Sequence, residues 1–115
     1  AEDFPEQIRD LHAWLALPSH IGVAAHPRGS GVPEIWVLGS SDYGAQLAAH
    51  FGLPYAFAYF FSDGAGAETA MSLYRQLFRP SALLEEPKAT LCVWALAAES
   101  DDKAAHHALS RDRWR

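Results

Sequence analysis

Glu34-Ile35-Trp36-Val37-Leu38-Gly39-Ser40-Ser41-Asp42-Tyr43-Gly44 is the stretch whose reading decides the fold. Its first five residues are β-branched, aromatic or apolar after Glu34, which suits a short strand. Gly39-Ser40-Ser41 then breaks the run, and an apolar pattern of helical spacing follows through Ala45, Leu47, Ala48, Ala49 and Phe51. Gly52 is placed to stop that helix. A strand that turns directly into a helix is half of a βαβ unit.

The same grammar repeats downstream. Leu53 to Phe61 (LPYAFAYFF) is almost continuously apolar, as expected for a strand buried on both faces. Strict alternation along it puts Tyr55, Phe57, Tyr59 and Phe61 on one face and Phe60 on the other. Ser62-Asp63-Gly64 turns the chain, and Glu68 to Phe78 reads as a helix broken by Arg79-Pro80-Ser81. Lys88 to Ala97 (KATLCVWALA) is a third strand. Ser100 is a helix N-cap, and Asp101 and Asp102 suit the positive end of the helix that follows to the C-terminus.

Upstream, Phe4, Ile8, Leu11, Leu15 and Leu17 predict a helix over about 3–16, with Pro5 in its first turn and Pro18-Ser19 as its stop. Ile21 to Ala25 is a brief apolar run, and His26 to Pro33 (HPRGSGVP) is a loop. The expected fold class is therefore α/β: a helix, then about three consecutive βα units with parallel strands.

Composition narrows the function. The chain has 115 residues, half of them apolar and 20% charged, which suits one globular segment. Nine basic and fourteen acidic residues leave a net charge of −5, so nucleic acid and anionic membranes are not expected partners. No apolar run approaches the roughly 18 residues of a membrane span. The single Cys92 excludes an internal disulfide, and with no signal peptide the expected location is the cytoplasm.

The six histidines show no ligand-like spacing, and the adjacent His106 and His107 diverge by about 100° on a helix, so no metal site is expected. Arg75 and Arg79, four apart near a helix C-terminus, read as an anion site or a solvated face. Nothing pairs a nucleophile with a base, and the catalytic residues stay unknown.

The candidate site is the turn Gly39-Ser40-Ser41-Asp42-Tyr43-Gly44. It lies at the C-terminal end of a strand, where parallel α/β folds bind ligands. Backbone N–H groups at the helix start and the hydroxyls of Ser40 and Ser41 suit a phosphate, and Gly39 and Gly44 allow close approach. The competing reading is a plain strand–helix turn capped by Ser40 or Ser41, and the charge of Asp42 argues for it. Tyr59, Phe60 and Phe61 would line a pocket at the end of the second strand, or simply pack.

Four segments occur in order and at matching spacing: Pro33 to Ser41, Ala45-Gln46-Leu47-Ala48-Ala49, Gly52 to Ala58, and Tyr74-Arg75 with Phe78-Arg79-Pro80-Ser81. Together they resemble the luciferase-like flavin-dependent monooxygenases. The opening Asp3-Phe4-Pro5-Glu6-Gln7 and the stretch Ala98 to Ala104 fit the same pattern.

The resemblance implies a TIM-like (β/α)₈ barrel, of which residues 1–115 would be a single middle-to-late segment. It implies an oxidoreductase that uses reduced FMN from a separate reductase, with O₂ and a small organic substrate as partners. A reductase using FMN or the deazaflavin F420 on the same fold is the alternative. A non-catalytic, self-associating fragment is another. The resemblance carries the flavin phosphate to Gly39, Ser40, Ser41 and Gly44, the last through its backbone only. It brings Tyr59, Phe60 and Phe61 towards the flavin or substrate pocket, with Phe60 where many relatives have His.

The chain opens at Ala1 without Met and stops at Arg115 inside a helical pattern. An interior slice of a longer barrel is therefore expected. Three strands cannot close a barrel that needs about 250 residues. Their inward side chains and sheet edges would call for a partner or for the remainder of the chain.

Overall fold

The computed structural model describes residues 3–16, 26–27 and 29–113. Helix α1 (Phe4–Leu15) precedes strand β1 (Val37–Gly39), helix α2 (Asp42–Phe51) and strand β2 (Tyr55–Phe57). A single helical turn, α3 (Tyr59–Ser62), leads to helix α4 (Ala67–Leu77), strand β3 (Ala89–Leu91) and helix α5 (Asp101–Asp112). The strands form one parallel sheet in the order β1-β2-β3, with Val37 beside Tyr55 and Tyr55 beside Ala89. The expected α/β architecture with three parallel βα units is the one observed. Pro18-Ser19 and the Ile21–Ala25 run lie outside the described residues.

The core explains why these elements hold together. Ala45, Leu47, Ala48 and Ala49 of α2 and Ala70 and Tyr74 of α4 are buried against Val37, Tyr55 and Phe57 of the sheet. Alanines on α2 let it lie close to α4 and to the strands. Ile8 brings α1 into the same cluster, and Arg9 lies over the Phe51 ring at 5.6 Å. All these residues belong to one cluster, so α1, α2 and α4 cover a single face of the sheet. The alternate positions Leu38, Ala56 and Thr90 share the opposite face, and Leu38 there is 56% exposed. A sequential parallel sheet with helices on one side matches a sector of a TIM-like barrel.

The strands are shorter than the sequence suggests, for stated reasons. β1 begins at Val37 rather than Glu34. Val37 N donates to Pro54 O at 3.0 Å, but Pro54 has no N–H to continue the ladder upstream. β2 stops at Phe57 because the chain coils into α3, so the expected strand over 53–61 is corrected at its C-terminal end. β3 then loses its partner. One irregular pair persists, with Cys92 N donating to Phe57 O at 2.8 Å and Phe60 N to Cys92 O at 3.2 Å.

Two connections are held by hydroxyls. Tyr74, fully buried, lies 2.9 Å from Leu53 O and 3.2 Å from Lys88 O and accepts from Lys88 N at 3.1 Å. It thereby ties the starts of β2 and β3 to α4. Ser81 Oγ donates to Gly52 O at 2.9 Å and accepts from Leu83 N and Leu84 N. Gly52 ends α2 in the left-handed conformation at φ +61°, as its position predicts. Ser100 caps α5 by accepting from Lys103 N at 3.3 Å. Among the described residues no helix is long and apolar enough to cross a membrane.

Candidate functional site

The turn between β1 and α2 stands at the C-terminal edge of the sheet. Ser41 is the N-cap residue of α2, with extended backbone at φ −140°, ψ 166°. Its side chain makes no capping hydrogen bond. The first-turn N–H groups of Asp42, Tyr43 and Gly44 have no intrahelical acceptor, as at any helix start. Ser40, Ser41 and Asp42 are exposed. The hydroxyls of Ser40 and Ser41 are therefore open to solvent here, next to one carboxylate that opposes an anion, while Gly44 is buried.

Gly39 and Gly44 lie against each other and close to Tyr55. A Cβ on Gly44 would lie 3.5 Å from Gly39 Cα and 3.6 Å from Tyr55 Cε2. A Cβ on Gly39 would lie 3.5 Å from Gly44 Cα. The two glycines face each other directly, with the edge of the Tyr55 ring beside them. A Cβ on either would make ordinary contacts only, and what the two glycines offer a ligand is backbone.

Tyr55 supports the turn from below. Its side chain is fully buried, and its hydroxyl lies 3.2 Å from Gly39 O and 3.4 Å from Ser41 O. Burial, followed by the nearby Asp42 charge, pushes its phenol above the usual value of 10.0. Sequence reading favours core packing for Tyr55 over a place in a ligand pocket, and gives its hydroxyl no part. The polar tip of a buried tyrosine is the one signal that points further.

The aromatic set lies beyond β2. Because Tyr59–Ser62 is a helical turn, the expected alternation of Tyr59, Phe60 and Phe61 across a strand does not hold. The Tyr59 ring occupies the space above Gly64, where a Cβ would meet it at 2.1 Å. Phe60 instead meets Phe61 at 4.6 Å between ring centroids and the edge of Trp94 at 6.4 Å. Phe61 is 72% exposed. Phe60 lines a shallow cavity of about 250 Å³ with Cys92, Val93 and Trp94. Trp94 also borders a cleft of about 530 Å³ with Leu96, His107 and Arg111.

Arg111 stacks on Trp94 at 5.3 Å and sits 3.8 Å from Asp63. Trp94 and Arg111 were not singled out by the sequence. An aromatic residue at the C-terminal end of the last strand was the available cue.

The remaining candidates lie elsewhere. α4 ends at Leu77, so Arg79 is past the helix and does not pair with Arg75 on one face. Arg79 borders a groove along α2 with Tyr43, Gln46 and His50. Among the described residues no group of three or more His, Cys, Asp and Glu is placed to hold a metal ion.

No family model matches the chain. It is 45% identical over 112 residues to the uncharacterized protein YvbT of Bacillus subtilis, covering 95% of this chain and 33% of that protein. It is 42% identical over 105 residues to a luciferase-like monooxygenase of Escherichia coli K12, covering 90% of this chain and 31% of that protein. The crystal structure of apo-MsnO8 superposes with a TM-score of 0.78 at 31% identity, covering all of this chain and 37% of that one. The chain thus spans about a third of the length of the curated relatives it matches. These similarities fit a segment of the luciferase-like monooxygenases.

Proposed function

We propose that this chain is a section of a flavin-dependent, luciferase-like monooxygenase, and that its share of the site is the phosphate end of reduced FMN together with part of an apolar pocket. The observation that carries the reading is the 42% identity to a luciferase-like monooxygenase over nine-tenths of the chain. The residues present fit the cofactor's phosphate. Ser40 and Ser41 offer exposed hydroxyls, Ser41 leaves its capping role open, and the helix start offers N–H donors. Asp42 fits only with its carboxylate turned away from the phosphate.

When bound, reduced FMN supplies the electrons that activate O₂ for insertion into an organic substrate. What this chain contributes is binding and exclusion of water. Ser40, Ser41 and the backbone of Asp42 to Gly44 would hold the phosphate. Phe60, Phe61 and Trp94 offer apolar surface for a small organic substrate or the flavin's flat ring. The face that exposes Leu38 and Thr90 is, in this reading, covered by the remainder of the barrel.

The test is titration of the full-length protein with FMN, followed by flavin fluorescence. Saturable quenching at micromolar protein supports the reading, and none at all counts against it. Oxygen consumption during turnover with a flavin reductase separates a monooxygenase from an FMN- or F420-dependent reductase.

A further inference from the structure

We propose that Tyr55 is the positioning residue of the phosphate-binding turn: its hydroxyl, by holding the Gly39 and Ser41 carbonyls inward, aims the N–H groups of Ser40 and Asp42 at the cofactor's phosphate. The inference rests on the flavin reading above and assigns that reading a residue that never touches the ligand.

The argument begins with peptide geometry. In a planar trans peptide the C=O and the following N–H point in opposite directions. Gly39 O accepts from Ala58 N at 2.9 Å, on the β2 side, and lies 3.2 Å from the Tyr55 hydroxyl, so the Ser40 N–H points the other way, to the side of β1 that no strand covers. Ser41 O accepts from Ala45 N at 3.5 Å and lies 3.4 Å from the same hydroxyl, so the Asp42 N–H points out as well. The single phenol proton is thus shared between two carbonyls, nearer that of Gly39, on the peptides that flank a pair of serines.

The ring that carries this hydroxyl is packed on several sides. The ring is fully buried, lies beside Gly39 and Gly44, and meets Tyr74 at 5.5 Å between centroids. Phenylalanine at 55 would keep that packing and remove only the hydroxyl.

Tyr74 provides the control. It is equally buried, and its hydroxyl anchors Leu53 and Lys88 at the opposite end of the strands. Both tyrosines support backbone, but only Tyr55 supports the turn.

The experiment compares FMN with riboflavin, which lacks the phosphate, by fluorescence titration of the full-length protein. Tyr55→Phe should weaken FMN binding by roughly three- to tenfold, the range of one lost hydrogen bond, and leave riboflavin affinity unchanged. Tyr74→Phe should leave the FMN-to-riboflavin ratio at its wild-type value. A Tyr55→Phe ratio equal to wild type overturns the inference while the flavin reading stands. No FMN binding by the wild type overturns both.

A second measurement needs no variant. FMN should move the amide resonances of Ser40 and Asp42 in the wild-type protein, and riboflavin should not. Equal movement with both ligands, or none with FMN, also overturns the inference.

Discussion

Replacing Gly52 by alanine should destabilise the chain by about 2–4 kcal/mol, and the reasons are separable. Gly52 has φ +61° and ψ 41°, in the left-handed region. An L-residue there costs about 1–2 kcal/mol, and the reduced freedom of the unfolded chain returns about 0.4–1 kcal/mol. The conformational part is therefore about 1 kcal/mol.

The rest is steric. A Cβ would stand 2.5 Å from Arg79 O and 2.6 Å from Ser81 Cβ, closer than real Cβ atoms come. The 79–81 segment would have to retreat. It is held by Arg79 N donating to Ala49 O at 3.0 Å and Ser81 Oγ donating to Gly52 O at 2.9 Å. Losing both bonds costs about 0.5–1.5 kcal/mol each. Gly66 isolates the first part, since it has φ +80° and nothing within 4 Å of its Cβ. Urea unfolding followed by circular dichroism would compare the two variants with the parent chain. Gly52→Ala should lose at least about 1 kcal/mol more than Gly66→Ala. Equal losses would refute the contact between the end of α2 and the 79–81 segment.

Gly44→Ala has the opposite sign. Its Cβ would make only ordinary contacts at 3.5 and 3.6 Å, so helix propensity should stabilise the chain by about 0.5–1 kcal/mol in the same assay. Because that Cβ faces Tyr55, FMN affinity should not change. Ser40→Asp should weaken FMN binding more than Ser40→Ala does, since a second carboxylate would oppose the phosphate beside Asp42. Unchanged affinity by fluorescence titration would remove Ser40 from the site. Tyr74→Phe should cost about 1–3 kcal/mol, because it leaves buried groups at Leu53 and Lys88 without their hydroxyl partner.

Alkaline pH should weaken the fold. Burial raises the Tyr55 and Tyr74 phenols above 10.0, so the folded chain keeps protons that the unfolded chain releases. Stability is then full below pH 10.0 and falls as pH rises through the folded values. Urea midpoints between about pH 9 and 11 should fall less steeply in Tyr74→Phe than in the parent.

The order of elements was legible because it is written in local periodicity: four apolar alanine and leucine positions on α2, and an apolar β2 closed by Gly52 upstream. Strand ends were not legible, because a ladder's length belongs to the partner. Pro54 limits β1 from the neighbouring strand, and the coil at Tyr59 limits β3. The candidate turn was visible from its glycines and serines. The contact of those glycines with Tyr55 was not, since it depends on a ring sixteen residues downstream of Gly39. For the same reason the Tyr55 hydroxyl could not be read from the sequence. Nothing near Tyr55 in the chain names its acceptors.

The placement of the helices also decides what kind of sheet this is. A doubly wound sheet reverses its strand order and buries both faces. Here the order is β1-β2-β3 without reversal, and right-handed crossovers must then put successive helices on the same side. The packing of α2 and α4 into one cluster agrees. The residues on the other side are Leu38, Ala56 and Thr90, a large, a small and a polar one, and not the uniformly bulky set that a second helical layer would need. A sheet with this asymmetry curves away from its helices as strands are added. The turn after β1 and the aromatic turn after β2 then lie on the same rim, at the C-terminal ends of the strands, where the proposed reading puts a phosphate at the first and an apolar ring at the second.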